Sequence, residues 1–294
     1  MRQLWLAFAH DRQIDVSGFD PTWLALREPA DHRSRNQDVA DALAARFALR
    51  DSVNVVDLGC GTGSNLRAMA ELLPKNQSWT LVDHDPALLT AARSTLAGWA
   101  DQATQNANGA LSLNFRDRAI HVRFVQFDLN DELGDIFDPT PDLVTAAAFF
   151  DLASQSFIER LIRAVVSRQA IFYTVLTYNG IQHWTPRRPA DNQMTSAFNR
   201  HQVTDKGLGP AAGPMAPDLL ADQFKMAGYS ILEGDSPWQL SAPGDAKLIV
   251  DLAVGFADAV AETGQVDDKT LAAWRAVART GAFVGHTDTL ALPA

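Results

Sequence analysis

The chain has a single cysteine, Cys60, in 294 residues. A lone thiol builds neither an internal disulfide nor a cysteine metal cage, so disulfide scaffolds and zinc ribbons are excluded and a reducing, cytoplasmic setting fits. Long apolar runs are missing as well, for no stretch approaches the roughly 18 uncharged apolar residues of a membrane span. The apolar run from Leu4 to Ala9 behind Arg2 falls short of the roughly 7 to 15 residues of a secretory core, which argues against a signal peptide. Positive charge is in deficit: 25 Lys and Arg face 35 Asp and Glu, a net charge of −10. Such a molecule repels phosphate backbones and anionic lipid, so the expected partner is a small molecule, with no nucleic acid and no membrane. The oligomeric state stays open. Repeats at solenoid periods and low-complexity tracts are also lacking, and the organisation must be read from the alternation of elements.

With 47% hydrophobic and 20% charged residues, the composition is that of an ordinary globular protein. The length suits about two domains or one large elaborated α/β domain. Residues 31–47 read as one amphipathic helix, with Val39, Leu43 and Phe47 on a stripe and Pro29 just before it. Short apolar strands are expected at 54–58, 78–83, 120–127, 143–147 and 170–177. Helices are expected between them at 63–73, 86–96 and 154–167, the second opened by Asp85 as N-cap and Pro86 in its first turn. This alternation predicts an α/β fold with a doubly wound, mostly parallel sheet. A helix at 217–227 and strands at 229–233 and 238–240 follow, the last two read as an edge hairpin. The segment 178–216 is too long for an ordinary connection and reads as a folded lid. A helical pair at 245–262 and 267–280 precedes a tail. The expected division is an N-terminal helical segment, 1–50, a core, 51–241, that includes the lid, and a C-terminal helical extension, 242–294.

The strongest local signal is Val55-Val56-Asp57-Leu58-Gly59-Cys60-Gly61-Thr62-Gly63-Ser64-Asn65, an apolar strand running into alternate glycines and then a helix. A Cβ at Gly59, Gly61 or Gly63 would obstruct the tight turn or the close approach of a ligand to the backbone. A dinucleotide fingerprint needs G-x-G-x-x-G, but Ser64 stands where its third glycine belongs. Asp57 also precedes the loop, where a carboxylate suits a cationic ligand better than a pyrophosphate. Asp83 and Asp128 end the next two strands, so three acids lie at three successive strand ends.

These residues resemble motif I and its downstream acids in the class I S-adenosylmethionine-dependent methyltransferases. The resemblance implies a seven-stranded Rossmann-like sheet and S-adenosylmethionine as cofactor. It also implies that Asp57, Gly59, Gly61 and Gly63 form the cofactor loop, that Asp83 holds the ribose hydroxyls, and that Asp128 lies beside the adenine. In the trans-aconitate methyltransferase-like branch an arginine upstream of the first strand pairs with the methionyl carboxylate, which makes Arg33 and Arg35 candidates here. Cys60 reads only as a small residue in a tight turn.

Methyl transfer needs alignment of nucleophile, methyl carbon and sulfur, and a base when the nucleophile carries a proton. Candidates for acceptor contact are Asp151 after the fourth strand and Tyr178 and His201 in the lid, with Phe149 and Phe150 as apolar walls. Arg187, Arg188, Arg200 and Lys206 make the lid locally basic, which suggests a small anionic acceptor methylated on O or N. Two other readings stay open: different chemistry on the same cofactor or a nicotinamide oxidoreductase, and a noncatalytic cofactor-binding scaffold.

Overall fold

A computed structural model describes residues 20–107 and 109–294; the apolar run behind Arg2 lies outside them. Two helices open the described chain, α1 (Pro21–Ser34) and α2 (Gln37–Phe47). The continuous helix expected over 31–47 is therefore broken, and Pro29 lies inside α1 rather than before a helix. The break has a local cause. Arg35 is extended at ψ 139°, and the Asn36 side chain caps α2 by accepting from the Val39 N–H at 3.1 Å.

The core alternates as expected: β1 (Ser52–Leu58), α3 (Ser64–Met69), β2 (Asn76–Asp83) and α4 (Pro86–Trp99). Asp85 caps α4 through the Ala87 N–H at 2.8 Å, with Pro86 in the first turn. Two unexpected strands follow, β3 (Gln102–Gln105) and β4 (Leu111–Phe115), before β5 (Arg118–Gln126), β6 (Leu143–Ala147) and α5 (Gln155–Val166). The strand read at 170–177 continues to Thr185 as β7 (Ile171–Thr185). The lid is thus shorter than expected, comprising α6 (Asp191–Gln202) and a loop that leads into α7 (Ala216–Met226).

The last third departs most from the sequence reading. After β8 (Ser230–Asp235), β9 (Trp238–Ser241), α8 (Ala246–Glu262) and α9 (Asp268–Arg275), the tail forms a long strand, β10 (Gly281–Leu292). The expected helical pair is present, but the chain returns from it into the sheet, between β7 and the edge strand β8. Here β10 pairs antiparallel with β7 on one side and with β8 and β9 on the other. The edge hairpin of β8 with β9 does not form. The sheet has ten strands rather than seven, ordered β3-β4-β5-β2-β1-β6-β7-β10-β8, with β9 also on β10. Its centre, β5-β2-β1-β6-β7, is parallel, so the carboxyl ends of these strands open along one edge. Among the described residues no helix is long and apolar enough to cross a membrane.

One buried acid ties the start of α2 and β7 to the returning strand. Asp288 on β10 accepts the Leu176 N–H and the Asn36 N–H, each at 2.8 Å. An amide at this position accepts with one atom only and aims a donor at the second N–H. Asp288→Asn is therefore expected to destabilise the fold by about 1 to 3 kcal/mol, read as a lower urea midpoint at unchanged slope.

Candidate active site

Two adjacent cavities lie at the carboxyl ends of the parallel strands. The outer one, about 310 Å³, is bounded by the glycine loop, Asp83, Asp128, Phe149 and the lid tip at Lys206–Leu208. The inner one, about 70 Å³, is bounded by Asp151, Tyr178 and aromatic walls. Arg27, Ala148 and Leu152 line both.

The loop after β1 owes its shape to left-handed backbone, with φ +63° at Gly59 and +54° at Gly61. Its closest neighbours are side chains of the protein itself. An added Cβ would lie 2.8 Å from Phe149 Cδ2 at Gly59 and 3.1 Å from Leu24 Cδ1 at Gly61. At Gly63 it would meet Leu96 at 3.2 Å. Asp83 anchors this loop, accepting from the Gly61 N–H at 2.9 Å and, with its other oxygen, from the Asp85 N–H at 3.0 Å. Oδ1 also faces His84 Nδ1 at 3.4 Å, whereas Oδ2 keeps a second lone pair, and the side chain still lines the cavity. Asp128 is exposed at the rim and accepts from the backbone and side chain of Asn130, both at 2.9 Å. Asn130 in turn donates to the Gly207 carbonyl of the lid at 3.1 Å, so the lid tip is tied over the adenine side of the loop expected from the sequence.

Asp57 is fully buried and only half satisfied. Its Oδ1 accepts from Asn65 Nδ2 at 2.9 Å, whereas Oδ2 has no partner. Burial raises its pKa to about 7, against the opposing effects of the Asn65 hydrogen bond and the Arg35 charge. Arg35 reaches the same cavity because of the α1–α2 break. It donates from Nη2 to Asn65 Oδ1 at 3.0 Å, while its buried Nε and Nη1 make no hydrogen bond. Arg33 does not share this position. Its exposed side chain pairs with Asp245 at 2.6 Å and lines neither cavity.

The acceptor candidates separate in the same way. Asp151, in the turn after β6, lines the inner cavity, and burial raises its pKa to about 6. Tyr178 lines it too, donating its hydroxyl to Asn199 Oδ1 at 2.7 Å; burial raises its pKa. His201 lines neither cavity. It sits behind Lys206, with Nδ1 at 3.4 Å from the lysine Nζ and Nε2 at 3.3 Å from Glu262, and burial lowers its pKa to about 4. The lid arginines are also elsewhere: Arg200 binds Gln265, and Arg187 and Arg188 are exposed away from both cavities. Lys206 alone of the four lid cations reaches the outer cavity, so one of the four lid charges that suggest an anionic acceptor is delivered to the site. Phe149 lines the outer cavity, as expected of a wall, whereas Phe150 is buried beneath it at 5.2 Å between ring centres.

Sequence reasoning passed over Arg27, Asp31, Gln182 and His286, all of which line these cavities. Arg27 and Asp31 stand four apart on a helix whose boundaries were misplaced. Gln182 and His286 come together only through the pairing of β7 with β10, which no local pattern announces.

Residues 55–133 match the family model of a methyltransferase domain. No curated protein matches the chain in sequence. Among solved structures, the chain is similar to the YcgJ protein of Bacillus subtilis, with 12% identity over 88% of this chain and 99% of that one and a TM-score of 0.50. A cyclopropane-fatty-acyl-phospholipid synthase-like protein of Lactobacillus casei is 15% identical over 90% and 98% of the two chains, with a TM-score of 0.49. The first of these likenesses speaks for the fold. The family match bears out the resemblance read from Val55 to Asn65 over its own span: residues 55–133 form a methyltransferase domain, the mark of a methyltransferase enzyme.

Proposed function

We propose that the outer cavity holds S-adenosylmethionine and that the inner one presents an O or N nucleophile of a small metabolite to it. One observation carries this reading: Asp57 and Arg35 line a single cavity, and each keeps buried polar atoms without a hydrogen-bond partner, Oδ2 of the acid and Nε and Nη1 of the guanidinium. Opposite charges left open side by side suit a zwitterion, and the methionyl end of the cofactor carries both an ammonium and a carboxylate. The cofactor, when bound, supplies an electrophilic methyl group and a neutral thioether leaving group. The chain's residues do the rest. Asp57 and Arg35 fix the amino-acid end, Asp83 offers its remaining lone pair to a hydroxyl, and the lid tip at Lys206–Leu208 excludes water. Asp151, beyond the shared wall of Ala148 and Leu152, takes the proton of the acceptor.

The direct test is calorimetric titration with S-adenosylhomocysteine and, separately, NAD. Binding of the first and not the second is expected; the reverse overturns the proposal. Incubation with methyl-labelled cofactor and a metabolite extract then identifies the acceptor through its labelled product. With that acceptor, Asp151→Asn is expected to lower turnover by about 100-fold or more, the ordinary worth of a positioned base. S-adenosylhomocysteine affinity should stay unchanged. Because the Asp151 pKa is raised to about 6, wild-type turnover should rise with pH through about 6 and then level. A flat profile across that range would remove Asp151 from the role.

A further inference from the structure

A groove lies on the face of the sheet that the connection between β5 and β6 leaves bare. Parallel strands need a crossover, usually a helix that covers the sheet. Residues 127–142 instead form no helix beyond a 3-10 turn at Asp135–Phe137. Register decides which side chains occupy the bare face. Asn54 of β1, Ser78 of β2 and His121 of β5 pair in one row across the strands, and Val56, Thr80 and Arg123 make the row two residues on. Residues two apart share a face of a sheet. The row between, Val55, Trp79 and Val122, is buried in the core on the opposite side. Ser78, His121 and Arg123 are exposed, so their side chains stand on the uncovered face.

Pro139 and Pro141 of the connection wall this floor and complete a groove of about 200 Å³. It is separate from the site at the glycine loop. No residue lines both this groove and either the outer or the inner cavity, and about 13 Å of extended strand, at ~3.3 Å per residue, separates Asn54 from Leu58.

Charge sets the groove apart from the rest of the molecule. In a chain of net charge −10, no Asp or Glu among the described residues lines it, and Arg123 does. Arg123 donates from Nε and Nη2 to Thr80 Oγ1 at 3.3 and 3.1 Å, and from Nη2 to the Asp138 carbonyl at 2.8 Å. These bonds stretch the guanidinium from the floor to the proline wall. They leave Nη1 without a hydrogen bond, and no carboxylate among the described residues pairs with the cation. His121 is steadied beside it through Nδ1, 3.2 Å from Ser112 Oγ.

We infer that this groove is a second binding site, outside the one proposed for methyl transfer, and that it takes a single-ring carboxylate, with the acid on Arg123 and the ring against Pro139 and Pro141. Size agrees: a cavity of about 150 Å³ accommodates benzene, so about 200 Å³ leaves room for one ring and a small substituent. A planar guanidinium is suited to a carboxylate, and one cation balances its one charge. A cationic ligand would lie against Arg123 with no acid to receive it.

Benzoate is a suitable probe, with benzamide as its uncharged counterpart of the same shape and benzamidine as the cation. The full chain should bind benzoate saturably, benzamide at least about tenfold more weakly, and benzamidine not at all. Arg123→Met keeps an apolar stem and removes the charge, and should weaken benzoate about tenfold or more, the loss expected for a charge-assisted hydrogen bond. Ser78→Phe fills the floor of the groove and should abolish binding. Saturating S-adenosylhomocysteine should leave benzoate affinity within twofold. No benzoate binding, equal binding of benzamide, undiminished binding in Arg123→Met, or displacement of benzoate by S-adenosylhomocysteine overturns the inference. Should the variants not fold, wild-type crystals soaked in benzoate decide: the carboxylate must lie on Arg123, and density elsewhere or none at all refutes the assignment.

Discussion

Gly59→Val is expected to reduce affinity for S-adenosylhomocysteine at least about 100-fold, or roughly 2.7 kcal/mol, while the sheet stays folded. Two effects act together. The position has φ +63°, a backbone region that a β-branched residue adopts at a cost of about 1 to 3 kcal/mol. The new Cβ would also stand 2.8 Å from Phe149 Cδ2, closer than carbon atoms pack. Phe149 cannot retreat from the loop, because it is stacked edge-on with Phe150 at 5.2 Å and Phe157 at 5.8 Å. Its free direction is into the outer cavity, where the ring displaces ligand. Gly59→Ala carries a smaller share of both effects and should fall between. Titration calorimetry beside a thermal melt separates binding from unfolding; a folded Gly59→Val protein with wild-type affinity would show that Phe149 has another place to go.

The parallel centre of the fold was legible because its strands are short apolar runs bounded by turn residues, as at Val55–Leu58 and Leu143–Ala147. β3 carries no such signal: Gln102–Gln105 is exposed throughout and is held only by pairing with β4. Gly285, His286 and Asp288 interrupt the apolar residues of β10, so no strand pattern marks it in the sequence. Those same residues are what the position demands. Gly285 lies against Asn179 and Ile181 of β7, and Asp288 satisfies two buried N–H groups. Likewise the stripe Val39, Leu43 and Phe47 correctly marks the buried face of α2, but it could not show that Asn36 ends one helix and begins another. The acids of the site were readable from their places at strand ends. Their duties were less so, since Asp83 also secures the loop and Arg35 owes its reach to a helix break. The inner chamber was unreadable, for it arises from a register shift between strands about a hundred residues apart in sequence.

Asp57→Asn should make the unliganded protein more stable at pH 8 and a poorer binder of S-adenosylhomocysteine. Burial lifts the Asp57 pKa in the fold from 3.8 to about 7. The folded state therefore holds a proton between about pH 4 and 7 that the unfolded chain has released. By linkage, stability from this group is complete below pH 3.8 and is lost as pH rises through 7. A shift of about 3 pKa units corresponds to roughly 4 kcal/mol at pH 8. The amide removes that penalty but leaves a buried NH2 group where Oδ2 stood, at a cost of about 1 to 3 kcal/mol. A net gain of about 1 to 3 kcal/mol remains, and the fall in melting temperature between pH 5 and 8 should flatten. Binding moves the other way, because the carboxylate that burial makes costly is the one an ammonium group would pair with. Ligand uptake by the wild type near pH 6.5 should accordingly release protons, measurable as a buffer-dependent heat that Asp57→Asn lacks. An Asp57→Asn protein that melts lower than wild type at pH 8, with unchanged affinity, would show that the buried carboxylate is stabilised by a partner within the fold and is not reserved for a ligand.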